Sequence, residues 1–207
     1  MKKLLLTTLF VLASANVNAA SVNLVTNGSF ENPNIAAGSW HVYNSINGWN
    51  TIGAGVEVRD NVAGKAYKGT QFVELDSHGA RDTNSAIYQS FSNTVAGQMY
   101  QISFAYSPRI RKAADTNGIS VFWNGVEKKS VTGQGGNKNL WEVFTINVLG
   151  EGQDELKFLA VGKDDSVGGN LDAISLSEVP VPTAALLFAP ALMGLMGLRR
   201  KSKKAVA

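Results

Sequence analysis

Tyr100-Gln101-Ile102-Ser103-Phe104-Ala105-Tyr106 alternates strictly, with Tyr100, Ile102, Phe104 and Tyr106 on one side and Gln101, Ser103 and Ala105 on the other. A period of two is the signature of a β-strand with one buried and one polar face. Ile87-Tyr88-Gln89-Ser90-Phe91 precedes it, separated by the turn-like Asn93-Thr94-Val95-Ala96-Gly97. The pair predicts a central hairpin. Helical periodicity is hard to find elsewhere, and many short apolar runs are punctuated by Gly and Asn. Together they predict an all-β fold, a two-sheet jelly-roll β-sandwich of roughly nine or ten strands.

The ends of the chain read differently. Lys2 and Lys3, the apolar run from Leu4 to Ala15, and Val17-Asn18-Ala19 with Ala20 as an alternative cleavage point have the layout of a secretory signal peptide over residues 1–20. At the other end, Val179-Pro180-Val181-Pro182-Thr183 breaks regular structure. An almost wholly apolar run from Ala184 to Leu198 follows, then Arg199-Arg200-Lys201-Ser202-Lys203-Lys204. The apolar run is short for a membrane span, and the basic end would stay cytoplasmic.

Residues 21–178 form the expected folded domain. Twelve Lys/Arg and all sixteen Asp/Glu fall within residues 21–198, a net charge of −4 that the whole-chain value of +3 conceals. That balance argues against nucleic acid as a partner, since the basic footprint is missing from the folded part. No cysteine is present, so an exported domain must rest on its core or on a metal.

In this order, Pro motif, apolar helix and Arg-rich end over 179–204 resemble the PEP-CTERM sorting signal of Gram-negative bacteria. Val179-Pro180-Val181-Pro182 stands where that family has Pro-Glu-Pro. The resemblance implies processing by signal peptidase and an exosortase-like enzyme. It implies transient residence in the inner membrane through the C-terminal helix, and a final place at the cell surface or outside the cell, in a setting of exopolysaccharide and biofilm.

A second resemblance covers most of residues 23–176. It rests on Asn27-Gly28-Ser29-Phe30-Glu31, Gly48-Trp49 with Val56-Glu57-Val58, the stretch from Gly69 to Leu75, Ile87 to Phe91, Gly97-Gln98-Met99-Tyr100 running into Ser103-Phe104, and Leu171-Asp172-Ala173-Ile174-Ser175-Leu176. In order and spacing these are similar to the DUF642 group and, more broadly, to galactose-binding-like carbohydrate-binding modules. The resemblance implies a jelly roll associated with polysaccharide. Plant relatives carry cysteines that this chain lacks.

Asp172 falls on the same face as Ile174 and Leu176 by the period-two rule, a face expected to point to the core. A carboxylate there needs backbone N–H groups or a cation, and hard oxygen donors suit Ca²⁺. The family resemblance implies a structural Ca²⁺ at Glu31 and Asp172, tying the ends of the domain together. The other reading has Asp172 accepting hydrogen bonds and Glu31 solvated.

Sugar rings stack on Trp and Tyr, so Trp40, Tyr43, Tyr88 and Trp123 are candidate ligand residues, with Gln101 and Arg109 as polar partners; Trp49 is expected in the core. Tyr88, Gln101 and Ser103 are expected to line up across neighbouring strands. Catalytic residues are not assigned. Asp76-Ser77-His78 holds triad residue types without triad geometry. Glu74 and Asp76 could pair for glycoside hydrolysis but are expected on a solvated face. The expected function is a non-catalytic polysaccharide-binding surface or matrix protein. The alternatives are a matrix component acting through protein–protein contacts and, last, a glycan-active enzyme.

Overall fold

In the computed structural model, residues 22–78 and 84–180 are described, and Val22–Val179 form one compact unit. The expected signal peptide over 1–20 and the sorting residues Val181, Pro182, Arg199 and Arg200 lie outside the described residues, as does the apolar run 184–198. Among the described residues no helix is long and apolar enough to cross a membrane.

Twelve strands are formed by the described residues: β1 (Trp40–Tyr43), β2 (Ser45–Ile46), β3 (Trp49–Ile52), β4 (Val56–Asp60), β5 (Gln71–Glu74), β6 (Ala86–Phe91), β7 (Met99–Ser107), β8 (Gly118–Trp123), β9 (Val126–Val131), β10 (Glu142–Leu149), β11 (Asp154–Val161) and β12 (Asn170–Glu178). They make two six-stranded antiparallel sheets, ordered β1-β4-β5-β12-β7-β10 and β2-β3-β6-β11-β8-β9. The architecture is an all-β sandwich.

Alternation in β7 does what its sequence dictates. Tyr100, Ile102, Phe104 and Tyr106 are buried, and the Phe104 ring meets Phe158 of the other sheet at 5.2 Å. Trp49 is core as expected, packed between Phe30 and Phe158. Asn124-Gly125 closes the β8–β9 hairpin with φ of 51° and 75°, the paired left-handed conformation that Asn-Gly supplies at low cost.

The expected β6–β7 hairpin does not form. β6 lies in the second sheet and β7 in the first. Ile87 and Phe91 on one strand, and Tyr100 to Tyr106 on the other, bury their apolar rows from opposite sides of the same core. The chain between them therefore crosses a gap of about 10 Å rather than turning within one sheet. Val95 N–H donates to the Tyr100 hydroxyl at 2.9 Å on that crossing.

The expected facing of Asp172 is also overturned. A β-bulge lies between Asp172 and Ser175, with Ala173 at φ 49°. Before it, Leu171 pairs with Tyr106 and faces the core; after it, Leu176 pairs with Ile102 and does the same. The extra residue puts Asp172, opposite Ala105, on the outer face instead. At the domain's two ends, Leu24 N–H donates to Leu176 O at 2.8 Å.

Candidate functional site: a buried ionic row beneath surface aromatics

Val58, Val73, Leu171 and Tyr106 point into the core, so their strand neighbours point out. Glu57, Glu74, Asn170 and Ser107 thus form one outward row across β4, β5, β12 and β7. A second row runs Trp40, Arg59, Phe72 across β1, β4 and β5. An outward row in an antiparallel sheet is ordinarily solvated. Here Glu57, Glu74, Asn170, Ser107 and Phe72 are all 0% exposed.

Burying two carboxylates demands partners. Arg59 Nη2 pairs with Glu57 Oε1, and Arg59 Nε lies 3.4 Å from Glu74 Oε2. Arg109, from the loop after β7, pairs through Nη1 with the same Glu74 oxygen, while Gly168 N–H donates to Glu74 Oε1 at 3.2 Å. Two guanidiniums balance two carboxylates. Burial nonetheless pushes the Glu74 carboxyl up to about 7, against the pull of Arg59 and Arg109, and the neighbouring Glu57 adds to the rise. Burial likewise lowers the Arg59 guanidinium.

This network reaches the surface through His78. Its Nδ1 lies 3.1 Å from Glu57 Oε2, and its side chain is 50% exposed. The Trp40 ring lies 4.9 Å from the His78 ring, tilted 36°, and is 41% exposed. A further aromatic group gathers beside the buried Phe72: Trp141 meets it edge-on at 5.8 Å, and Tyr67, 50% exposed, lies 6.2 Å from Trp141. The Trp141 indole N–H donates to Lys65 O at 2.8 Å. Exposed rings fixed in this way offer flat apolar surfaces beside polar groups.

Among the sequence-named candidates, Trp40 and Arg109 join this site. Tyr43 turns to the core side of β1, opposite Val56. Trp123 cannot offer a stacking face: it is a core residue, stacked on Phe91 at 6.2 Å with its indole N–H given to Leu149 O. Tyr88 sits half-buried on the outer face of the second sheet, between Asn50 and Lys157. Gln101 is exposed on the outer face of the first, beside Asn147 at 3.4 Å. The expected line of Tyr88, Gln101 and Ser103 therefore does not exist, because β6 and β7 belong to different sheets. Glu74 and Asp76, expected on a solvated face, are both fully buried, since loops cover that face.

Glu57, Arg59, His78, Tyr67, Phe72 and Trp141 were not among the sequence candidates. The signal lay in Val56-Glu57-Val58-Arg59-Asp60, where the opposite charges of Glu57 and Arg59 share one face of a strand and Val56 and Val58 share the other. A separate open groove of about 430 Å³, lined by Phe91, Asn124, Glu151, Asp154 and others, holds none of the candidates.

Glu31 and Asp172 do come together, on the loop before β5. Asp172 Oδ2 accepts from the N–H groups of Tyr67 and Lys68, both at 2.8 Å, and Oδ1 from Ala173 N–H at 2.5 Å. Glu31 Oε1 accepts from the N–H groups of Thr70 and Gln71, both at 2.9 Å, and Oε2 from the Thr70 hydroxyl at 3.1 Å. Every carboxylate oxygen of the pair accepts at least one hydrogen bond from an N–H or O–H donor. Among the described residues no group of three or more His, Asp or Glu is placed to hold a metal.

No protein-family model matches the sequence. Over 153 residues the chain is 27% identical to a multifunctional-autoprocessing repeats-in-toxin protein of Vibrio vulnificus, covering 73% of this chain and 3% of that one. The chain thus spans a small fraction of that relative's length. Among solved structures, the Stig cyclase Fisc of Fischerella sp. TAU has a TM-score of 0.56 at 12% identity, covering 79% of this chain and all of that one. The β-sandwich neighbours include carbohydrate-binding modules, among them a family 35 module from Clostridium thermocellum with a TM-score of 0.44 at 16% identity, covering 67% of this chain and 97% of that one.

Proposed function

We propose that residues 22–179 are a non-catalytic module, of the jelly-roll, galactose-binding-like kind, that holds polysaccharide on the outer face of the β1-β4-β5-β12-β7-β10 sheet. One observation carries this reading. Trp40 presents a part-exposed ring braced by His78, and His78 is rooted in a network of two fully buried carboxylates and two guanidiniums, Arg59 buried and Arg109 partly so. A sugar ring gains most from an aromatic face that pays no ordering cost on binding. The Tyr67–Trp141 pair supplies a second contact for an extended chain. Catalysis is not part of the proposal: both buried carboxylates are held by arginines.

The wider setting follows from the two terminal segments. We read residues 1–20 as a signal peptide and 179–204 as a PEP-CTERM-like sorting signal, on the residues already given. The protein is then exported by a Gram-negative cell, held in the inner membrane until an exosortase-like enzyme acts, and placed at the surface or in the matrix.

Affinity electrophoresis of the exported protein through gels containing neutral, acidic and self-produced polysaccharides tests the binding. Retarded migration in at least one gel, relieved by Trp40→Ala, is the expected result. Unretarded migration in all of them overturns it. Mass spectrometry of the exported protein's C-terminus tests the sorting step.

A further inference from the structure

Thr70 and Gln71 give their N–H groups to Glu31, and Tyr67 and Lys68 give theirs to Asp172. Only Gly69 in this five-residue stretch gives its N–H to neither carboxylate. Its φ of +75° lets the chain wrap the two side chains, and a Cβ there would stand 2.3 Å from Glu31 Oε1. Asp172 reaches this loop because of the β12 bulge, which turns it outward. Two carboxylates from opposite ends of the domain therefore close on one loop from its middle.

The loop leads directly to the proposed ligand face. Lys65 N–H donates to Asn139 Oδ1 at 2.7 Å, and Lys65 O accepts the Trp141 indole N–H. Tyr67, whose ring lies 6.2 Å from that of Trp141, gives its own backbone N–H to Asp172. Any shift of the loop moves both rings. The four N–H dipoles point their positive ends at the two neighbouring carboxylates and are the groups that hold them in place of a cation in this latch.

We propose that Glu31 and Asp172 are positioning residues, a metal-free latch that holds the 65–71 loop by its backbone and thereby sets the Tyr67–Trp141 platform. The effect on ligand rests on the polysaccharide reading above; the latch itself does not.

Three measurements on the exported chain test it. Melting is compared in EDTA and in millimolar CaCl₂. Equal midpoints are expected, and a calcium-dependent rise of several degrees overturns the metal-free latch. Hydrogen exchange of a peptide spanning 66–71 is then compared with that of Asp172→Asn. At least a tenfold loss of protection is expected, and unchanged protection overturns the latch. Glu31→Gln, on a more exposed side chain, gives the same reading should Asp172→Asn fail to fold. Finally, affinity for the retarding polysaccharide is measured in a double-mutant cycle with Tyr67→Ala, well below the melting temperature. Asp172→Asn is expected to weaken binding several-fold in the parent and not at all in Tyr67→Ala, which a merely structural role would not produce. Equal losses in both backgrounds overturn the positioning role. A parent that binds no polysaccharide sinks the proposed function, and the platform role with it, while melting and exchange still decide the latch.

Discussion

Glu57 stands directly opposite Glu74 in the register of β4 and β5, and neither carboxylate has any solvent exposure. Like charges in cross-strand positions ordinarily destabilise a sheet. Arg59, two residues along β4 from Glu57, contacts both, and Arg109 takes a second contact with Glu74. The sandwich thus carries a compact ionic assembly outside its hydrophobic core.

Arg59→Ala leaves both carboxylates buried and short of a partner. Breaking a buried pair in this way costs about 3–5 kcal/mol. Urea denaturation of the variant is expected to show a loss of that order, or no folded protein. A loss below about 1 kcal/mol, the range of exposed pairs, contradicts the buried network.

Two carboxyls are raised by burial, Glu74 from 4.5 and Asp172 from 3.8, each to about 7. A raised acid binds its proton more tightly in the folded state. Its contribution is therefore complete below the unfolded pKa and is lost as pH rises through the folded one. The domain is expected to be more stable near pH 5 than near pH 8. Urea midpoints across that range check the slope, and Glu74→Gln is expected to flatten it.

The Asn170 side chain is fully buried in the outward row between Glu74 and Ser107, and neither its amide nitrogen nor its oxygen has a hydrogen-bond partner among the described residues. Leaving such groups unsatisfied costs about 1–3 kcal/mol. Asn170→Leu, similar in size and apolar, is expected to hold or raise the urea midpoint; a clear fall would show that the amide is satisfied.

Gly69→Ala places a methyl group against Glu31 Oε1 on a left-handed backbone. Loss of about 1 kcal/mol or more is expected from the backbone alone. Gly97→Ala, also at positive φ but with open space around it, isolates the conformational part. The difference between the two variants measures the clash with the latch by thermal melting.

Trp40 and Trp123 separate surface from core. Trp40→Ala is expected to weaken polysaccharide binding several-fold, by about 0.5–1.5 kcal/mol, at little cost in stability. Trp123→Ala is expected to cost about 3–5 kcal/mol of stability, since it empties a core position. Chemical denaturation and affinity electrophoresis on the same two proteins distinguish them.

Local pattern was enough to foresee the alternating row of β7, the Asn-Gly turn and the burial of Trp49, because each depends on a few adjacent residues. What escaped depends on contacts remote in sequence. Loops cover the outer face of the first sheet and turn Glu74 and Asp76 from expected surface groups into buried ones. One extra residue in β12 reverses Asp172, and a period-two count cannot register it. The link from Phe91 to Met99 has turn-like composition whether it joins strands within a sheet or across the core, so the partition of β6 and β7 was not written locally.

The backbone bond from Leu24 to Leu176 brings the first and last segments of the folded unit side by side. A unit whose ends meet can be spliced into a host chain as a side branch, leaving the host's own path almost unbroken. The stretch similar to it makes up 3% of a very long toxin. Ends set side by side are the geometry that a portable module requires.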